Sequence, residues 1–157
     1  MEYLQELTKH LIKNVVDKEE LNAWAEDGEL IFSSHVIEGG FEVKYTCNFE
    51  MSGVKLEPIK LFFLVSSWLN KFNPERESQG LPKPLFFTER LSDGRYDLGL
   101  KIEFQEQYDL VEDPEGEWKV GGVRMNLQSD FHNLFDESEA EELSLVDSHT
   151  QDSSLEN

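Results

Sequence analysis

Apolar and polar residues alternate most regularly between Phe41 and Met51, in the run FEVKYTCNFEM. The odd-numbered positions hold Phe, Val, Tyr, Cys, Phe and Met, and the even-numbered positions hold Glu, Lys, Thr, Asn and Glu. Because successive side chains of a strand point to opposite faces, this pattern predicts a strand with one buried and one solvent-exposed face. Such strands are typical of antiparallel sheets that are covered on one side.

Two segments have apolar residues at helical spacing. From Glu2 to Val16, leucine, isoleucine and valine recur every three or four positions, which predicts an amphipathic helix. From Pro58 to Phe72, the run PIKLFFLVSSWLNKF has a broad apolar face at the same spacing, and we expect this helix to lie across the sheet. Pro58 suits a first helical turn because its missing N–H has no partner there, and Asn73-Pro74 ends the helix.

A short third helix is predicted after Asp17. Asp17 and Glu20 resemble a capping box, and Leu21 and Trp24 follow at helical spacing. Gly28 then provides a plausible end cap, because glycine adopts positive φ at little cost.

Further strands are predicted on both sides of the second long helix. Glu29 to Ile37 and the Phe41 strand are joined by Glu38-Gly39-Gly40, which favours a hairpin. Leu85 to Leu91 and Arg95 to Phe104 form a second hairpin through Ser92-Asp93-Gly94. After the acidic turn at 112–116, residues 118–125 predict either a last edge strand or a projecting ribbon.

These elements predict an α+β fold. The two hairpins give a four-stranded antiparallel sheet, five-stranded if the segment at 118–125 joins it, with two or three helices packed on one face. The order of the strands across the sheet does not follow from the sequence.

The chain has 157 residues, a length typical of one domain, which we place at 1–126. Residues 127–157 are expected to form an acidic, largely flexible segment, because few apolar and many acidic residues cannot offset the entropy of ordering. Phe131, Leu134 and Phe135 interrupt this composition. They are expected to dock either on a partner or back on the domain.

The net charge of −19 is unevenly distributed. Residues 130–157 contain 9 acidic and no basic residues, whereas residues 1–129 contain 14 basic and 24 acidic residues. Such a chain would repel a nucleic-acid backbone, so we predict no direct nucleic-acid binding. The amino terminus lacks the pattern of a signal peptide and the longest apolar cluster, Leu61 to Val65, is too short to span a membrane, so folding in a cytoplasm without a membrane partner is expected.

The residues contain no recognisable catalytic motif. There is no Walker loop, no G-x-G-x-x-G, no H-E-x-x-H and no G-x-S-x-G in the sequence. The single cysteine, Cys47, excludes an internal disulfide and lies on the apolar parity of its strand, which favours a core position. We therefore predict a protein that is not an enzyme and that uses no cofactor and no metal.

Several short motifs appear in the order and spacing of one phage family. They are Glu26-Asp27-Gly28-Glu29-Leu30-Ile31, Phe41-Glu42, Tyr45-Thr46, Asn48, Trp68-Leu69, Asn73-Pro74, Asp97-Leu98, Leu100, Ile102 and Glu106. Over about residues 3 to 111 the chain resembles the tail completion protein R family of P2-like phages. The family often ends in a proline-rich segment, whereas this chain has no proline after Pro114. Contacts specific to that segment therefore do not carry over.

The resemblance implies a phage or prophage protein that finishes the contractile tail so that a head can attach. The implied partners are the tube, the sheath or a second completion protein, with a homo-oligomeric ring in the assembled state. The implied locations are the host bacterial cytoplasm during assembly and the virion tail.

Seven residues are the candidate partner interface. They are exposed strand positions or apolar residues of the acidic segment: Glu42, Lys44, Asp97, Lys101, Phe131, Leu134 and Phe135. The alternative function is an acidic protein that imitates DNA and inhibits a nuclease or a regulator. That function requires a continuous stripe of carboxylates, which Lys44 and Lys101 are expected to interrupt.

Overall fold

The computed structural model describes residues 1–32 and 40–131, which form an antiparallel sheet and two α-helices. The elements in chain order are α1 (Glu2–Asn14), β1 (Leu21–Ile31), β2 (Phe41–Val54), α2 (Pro58–Phe72), β3 (Leu85–Arg90), β4 (Tyr96–Glu112), β5 (Trp118–Val120) and β6 (Val123–Ser129). Single 3₁₀ turns lie at Lys18–Glu20 and Pro74–Arg76.

The long strand β4 organises the sheet. Along one side it pairs with β2, which in turn pairs with β1. Along its other side it pairs first with β3 and then with β6, and β5 pairs with β6. Among the described residues β1 and β3 are therefore edge strands on opposite sides of the sheet.

The core lies between the inner face of the sheet and the two helices. The inner face consists of the alternate side chains of β2 and β4 that point toward α1 and α2, and the outer face consists of the intervening side chains. A single cluster joins both helices to the inner face, and its largest members include Tyr3, Leu7, Leu61, Trp68, Tyr45, Phe49, Ile102 and Phe104.

Most of the predicted elements are confirmed. The strand at Phe41, the amphipathic amino-terminal helix and the helix from Pro58 to Phe72 form as the periodicity predicts. The second hairpin also forms, since Leu91 N donates to Arg95 O at 2.8 Å across the predicted turn. Cys47 is fully buried in the core, as its parity indicates.

The short helix predicted after Asp17 is wrong. Only the 3₁₀ turn at Lys18–Glu20 is helical, and residues Leu21–Ile31 form β1 instead. Ala23 and Ala25 pair with Phe49 and Cys47, so strand parity places them toward the core. Backbone pairing with β2 therefore stabilises a strand here more than the capping residues Asp17 and Glu20 stabilise a helix. Gly28 is part of an irregularity in β1 rather than a helix cap.

The sheet has more strands than the predicted four or five. Six strands occur among the described residues, because the segment near Trp118 folds into a two-stranded ribbon whose second strand pairs with the end of β4. Gly121 and Gly122, both at positive φ, form the tight turn of this ribbon. The first strand, predicted to reach Ile37, ends at Ile31; residues 33–39, with most of the predicted turn, lie outside the described residues.

The packed region continues past residue 126, the predicted end of the domain. Strand β6 runs to Ser129, and Phe131 is 2% exposed. The Phe131 ring packs edge-on against Tyr3 at 4.8 Å between centroids and also lies against Trp68 and Phe72. Phe131 therefore belongs to the core. The predicted character of residues 132–157 lies outside the described residues.

A buried carboxylate fixes α1 to the sheet. Glu106, on the inner face of β4, is fully buried and accepts hydrogen bonds at both oxygens. The donors are Glu2 N (3.2 Å), Tyr3 N (3.2 Å), Tyr108 Oη (2.6 Å), Ser129 Oγ (3.2 Å) and Tyr45 Oη. Two of them are free amides of the first turn of α1, where negative charge is favourable.

The environment of Glu106 keeps it ionised. Burial by itself opposes ionisation, but the hydrogen bonds from Tyr108, Tyr45 and the two amides outweigh it, so the pKa of Glu106 lies below its usual value. Burial and the nearby carboxylate raise the pKa of Tyr45 and of Tyr108, so both hydroxyls stay protonated as donors. The cluster is therefore one carboxylate surrounded by neutral donors.

Phe131→Ala is expected to lower the free energy of unfolding by about 3 to 5 kcal/mol, because it removes a fully packed ring. Chemical denaturation with circular dichroism measures the effect. The matched control is Phe63→Ala, at a ring that is 63% exposed, which we expect to change stability by about 0.5 kcal/mol or less. Equal effects of the two substitutions would contradict the placement of Phe131 in the core.

Glu106→Gln is expected to lower the free energy of unfolding by about 2 kcal/mol at pH 7, because it removes the charge that five donors face. Since the folded-state pKa is lowered, the stabilisation by Glu106 is present above the ordinary value of 4.5 and is lost as pH falls through the folded-state pKa. The difference between wild type and variant should therefore shrink below about pH 4.5. Denaturation between pH 3 and 8 measures it.

The control for the pH series is Glu103→Gln on the outer face. Glu103 is partly exposed and lies 3.6 Å from Lys44 Nζ, so its removal should cost about 1 kcal/mol or less. A Glu106→Gln difference that stays constant down to pH 3 would contradict an ionised carboxylate at this position.

Candidate interaction surface

Four of the predicted interface residues lie on the outer face of the sheet, spread along the paired strands β2 and β4. Glu42 and Lys44 belong to β2, and Asp97 and Lys101 belong to β4. Their neighbours along the strands point to the inner face; Tyr45 follows Lys44 and Leu98 follows Asp97, and both are buried in the core. The parity of the two strands thus brings to one surface four residues that are as much as 59 positions apart in the sequence.

Three of these four residues are engaged by neighbouring groups. Lys44 Nζ lies 3.6 Å from Glu103 Oε2, and Glu42 accepts a hydrogen bond from the side chain of Gln105. Asp97 Oδ1 accepts a hydrogen bond from Gly53 N at 2.9 Å, at the irregularity near the end of β2. The exposed Lys101 lies at the border of a groove on the same face.

This groove crosses the outer face between β1 and β3 and has a volume of about 240 Å³. Its walls are Trp24 on one side and Leu85 and Phe87 on the other. Asn48, Glu50, Gly99 and Lys101 are also in its lining. Trp24 is held in place by a hydrogen bond from its Nε1 to Glu26, which also accepts one from Asn48 at 2.9 Å. An apolar side chain with a polar rim fits such a groove.

The groove depends on a glycine. A Cβ atom added to Gly99 would lie 1.8 Å from the Phe87 ring, so the ring can rest against the sheet only because residue 99 has no side chain. Gly99 is directly opposite Phe87 in the pairing of β3 with β4. Sequence reasoning missed this position, although a glycine within a strictly alternating strand is a signal of close approach.

The apolar surface also continues around β3 to the helix side. The Phe86 ring packs at a tilt against Phe62 of α2, with 4.1 Å between ring centroids, and Ile59 and Phe63 on the same helix are 69% and 63% exposed. Leu85, Phe86 and Phe87 are all more than half exposed. A contiguous apolar surface of this kind on a folded domain marks an interaction site. The sequence predicted the strand but not that all six of its residues are exposed.

The three predicted interface residues near the carboxyl end do not join this surface. Phe131 is packed in the core, so its side chain is not available to a partner in this conformation. Leu134 and Phe135 lie outside the described residues. Their assignment to an interface stays a prediction.

Two titratable groups of the core, Glu106 and Cys47, are each held in one protonation state by their surroundings. The oxygens of Glu106 face five donors. Burial, and to a lesser extent the nearby charge of Glu106, raises the pKa of Cys47 to about 12, so the Cys47 thiol is protonated at neutral pH. Across residues 1–32 and 40–131 no three His, Cys, Asp or Glu side chains are grouped so as to hold a metal ion. In the same part of the chain, neither helix has the length and apolar character needed to span a membrane.

Comparison with known proteins identifies a phage family and a phage relative. The family model described as P2 phage tail completion protein R (GpR) matches residues 1–126. A relative from Haemophilus phage HP1 (strain HP1c1), described as an uncharacterized 19.2 kDa protein in the rep-hol intergenic region, is 30% identical over 135 residues, which cover 78% of this chain and 80% of the relative. No solved structure gives a significant match.

The family match covers both helices and the strands β1 to β5, so it spans the inner core and the outer face described above. It confirms the resemblance that the motifs between Glu26 and Glu106 indicate. The chain belongs to the P2 phage tail completion protein R family.

Proposed function

We propose that this protein completes the contractile tail of a phage or prophage by capping its head-proximal end, so that tube and sheath stop growing and a head can attach. The observation that carries the proposal is the family match over residues 1–126. The proposal adds the specific capping role, because the family itself establishes only a function in the phage tail.

The protein acts through binding and catalyses no reaction. In support, the exposed groups of the outer face form a mixture of charge and apolar area that suits protein recognition, with Trp24, Leu85 and Phe87 beside Lys101 and Glu50. Exposed aromatic and aliphatic side chains supply affinity, and the surrounding charges supply register and selectivity.

The partners are other tail proteins: the tube, the sheath or a second completion protein. Assembly on the tail arranges several copies in a ring. The net charge of −19 supports a tail partner of complementary charge, since a strongly acidic subunit is attracted to a basic surface. The sites of action are the host cytoplasm during assembly and the virion tail afterwards.

The alternative, an acidic inhibitor that imitates DNA, has less support. A DNA mimic needs carboxylates in an unbroken series, but Lys44 lies among the outer-face carboxylates, 3.6 Å from Glu103. Lys101 is exposed on the neighbouring strand and borders the apolar groove between β1 and β3. Exposed aromatic side chains favour binding to another protein. They do not resemble the charged phosphates of a nucleic-acid backbone.

Deletion of the gene from an inducible prophage tests the capping role. Electron microscopy of the lysate is expected to show overlong tails, or tails without heads, with heads assembled normally. Normal virions from the deletion strain would overturn the proposal. Inhibition of a nuclease or a repressor by the purified protein, with normal tails in the deletion strain, would support the alternative instead.

Complementation of the deletion tests the outer face. A variant with Lys44→Glu and Lys101→Glu is expected to reduce infective particles at least about tenfold, since like charges oppose the partner's matching groups. The control variant, Lys9→Glu with Lys119→Glu, changes the net charge equally at exposed positions on α1 and β5 and should complement fully. Equal complementation by both variants would show that the outer face is not the tail interface.

A further inference from the structure

Strand β3 presents an unprotected edge. Its six residues, Leu85–Arg90, are all exposed, and in the described part of the chain it pairs with β4 alone. Leu85 and Phe87 cover one side of the edge and Phe86 the other. Proteins usually blunt such an edge with a charge, a proline or a bulge, because its unpaired backbone groups and apolar side chains recruit another strand. Pro84 directly precedes β3 and the charges of Glu89 and Arg90 lie at its end, so only Leu85 to Phe87 are without such a device.

The opposite edge of the same sheet is formed by β1, and its regular part has the same length. Leu21 to Glu26 pair in register with β2, and the irregularity between Glu26 and Glu29, with Asp27 at a φ of 52°, ends this regular part. The register places Leu21 to Trp24 level with Leu85 to Thr88, so four residues of each edge strand overlap. Trp24 pairs with Asn48, Asn48 with Lys101, and Lys101 with Leu85.

The strand directions make the two edges compatible. Each neighbour in the series β1, β2, β4 and β3 is antiparallel to the one before, so β3 runs opposite to β1. A second copy placed beside β3 by a rotation about an axis near the strand direction therefore presents its β1 antiparallel to β3. Antiparallel pairing would continue the alternation of the sheet from one copy into the next.

The two edges also have opposite charge. Residues 17–31, which contain β1, hold six acidic residues and one lysine, whereas residues 81–95, which contain β3, hold three basic and two acidic residues. With no shift along the strands, Trp24 of one copy faces Leu85 of the next. Because the strands are antiparallel, Glu26, two residues after Trp24, then faces Lys83, two residues before Leu85. Leu21 is level with Thr88, so the residues before Leu21, Glu19 and Glu20, lie toward Arg90 of the next copy.

We infer that the β1 edge of one copy pairs with the β3 edge of a second copy, head to tail. The contact is heterologous, so its repetition generates a ring or an open series rather than a two-fold dimer. The inference names the two surfaces that would join the subunits of the ring in the proposed function. Its biological setting rests on that proposed function. At physiological ionic strength the repulsion between net charges is screened beyond about 8 Å, while the facing pairs remain in contact.

Charge reversal of each edge in the full-length chain tests the pairing. The first variant is Lys83→Glu with Arg90→Glu, which makes both edges acidic. The second is Glu19→Lys with Glu26→Lys, which places one lysine opposite Lys83 and another toward Arg90 of the neighbouring copy. Sedimentation velocity over a wide range of protein concentration, at 0.15 M salt, measures association. Wild type is expected to form oligomers larger than a dimer, and each variant alone should need at least about tenfold higher concentration to associate.

An equimolar mixture of the two variants decides the mode of contact. In the mixture every β1–β3 junction between unlike copies again joins opposite charges, so association should return to the wild-type level. The control reversal at Lys9 and Lys119, away from both edges, should associate like wild type. Circular dichroism verifies that each variant is folded.

Three results would overturn the inference: a wild-type chain that is monomeric at all concentrations, reversed variants that associate like wild type, or a mixture that does not recover. None of these results bears on whether deletion of the gene gives aberrant tails. Conversely, normal tails in the deletion strain with full recovery in the mixture would retain the head-to-tail contact and reject the capping role.

Discussion

The ionised carboxylate of Glu106 is the constraint on which the two-layer arrangement depends. It joins the first turn of α1 to the inner face of β4 and also receives the hydroxyls of Tyr45 and Tyr108. A buried charge is tolerated only when its hydrogen-bonding capacity is met, and here helix amides and phenols meet it together. Because α1 is fixed to one face, the inner and outer faces of the sheet are assigned without ambiguity. In the part of the chain that the structure describes, both helices pack on the inner face and no helix covers the outer one.

The distribution of apolar side chains follows from this division. The inner face and both helices bury one aromatic-rich core, in which the Tyr3 ring stacks on Phe104 at 4.7 Å between centroids. The exposed apolar side chains lie at β3 and the neighbouring part of α2, at the end of β1 around Leu30, and on the ribbon of β5 and β6. An acidic domain that leaves these areas uncovered is suited to be one part of a larger assembly, which agrees with its membership of a phage tail family.

The sequence predicted the elements whose period is strong and whose burial is one-sided. Regular alternation from Phe41 and the broad helical face after Pro58 were sufficient for the two main layers. The pattern failed at Leu21, where a strand beside β2 replaced the predicted helix, because pairing with a neighbouring strand is not visible in local spacing. It also missed the contact of Phe87 with Gly99 and the burial of Phe131, which both depend on residues distant in the chain. Glu106 was noticed only as part of the family resemblance, since one carboxylate among 33 acidic residues has no local signature of burial.

The position of the protein in the particle tests the central claim most directly, namely that this domain is a structural component of the tail end that acts through its exposed surfaces. An epitope tag at the amino terminus would perturb the first turn of α1, whose amides bind Glu106, so the tag is placed after Asn157. Immunogold electron microscopy of tagged particles should place label at the head-proximal end of the tail and nowhere along its length. Particles that assemble normally and carry no label, while the tagged protein remains free in the lysate, would contradict the account.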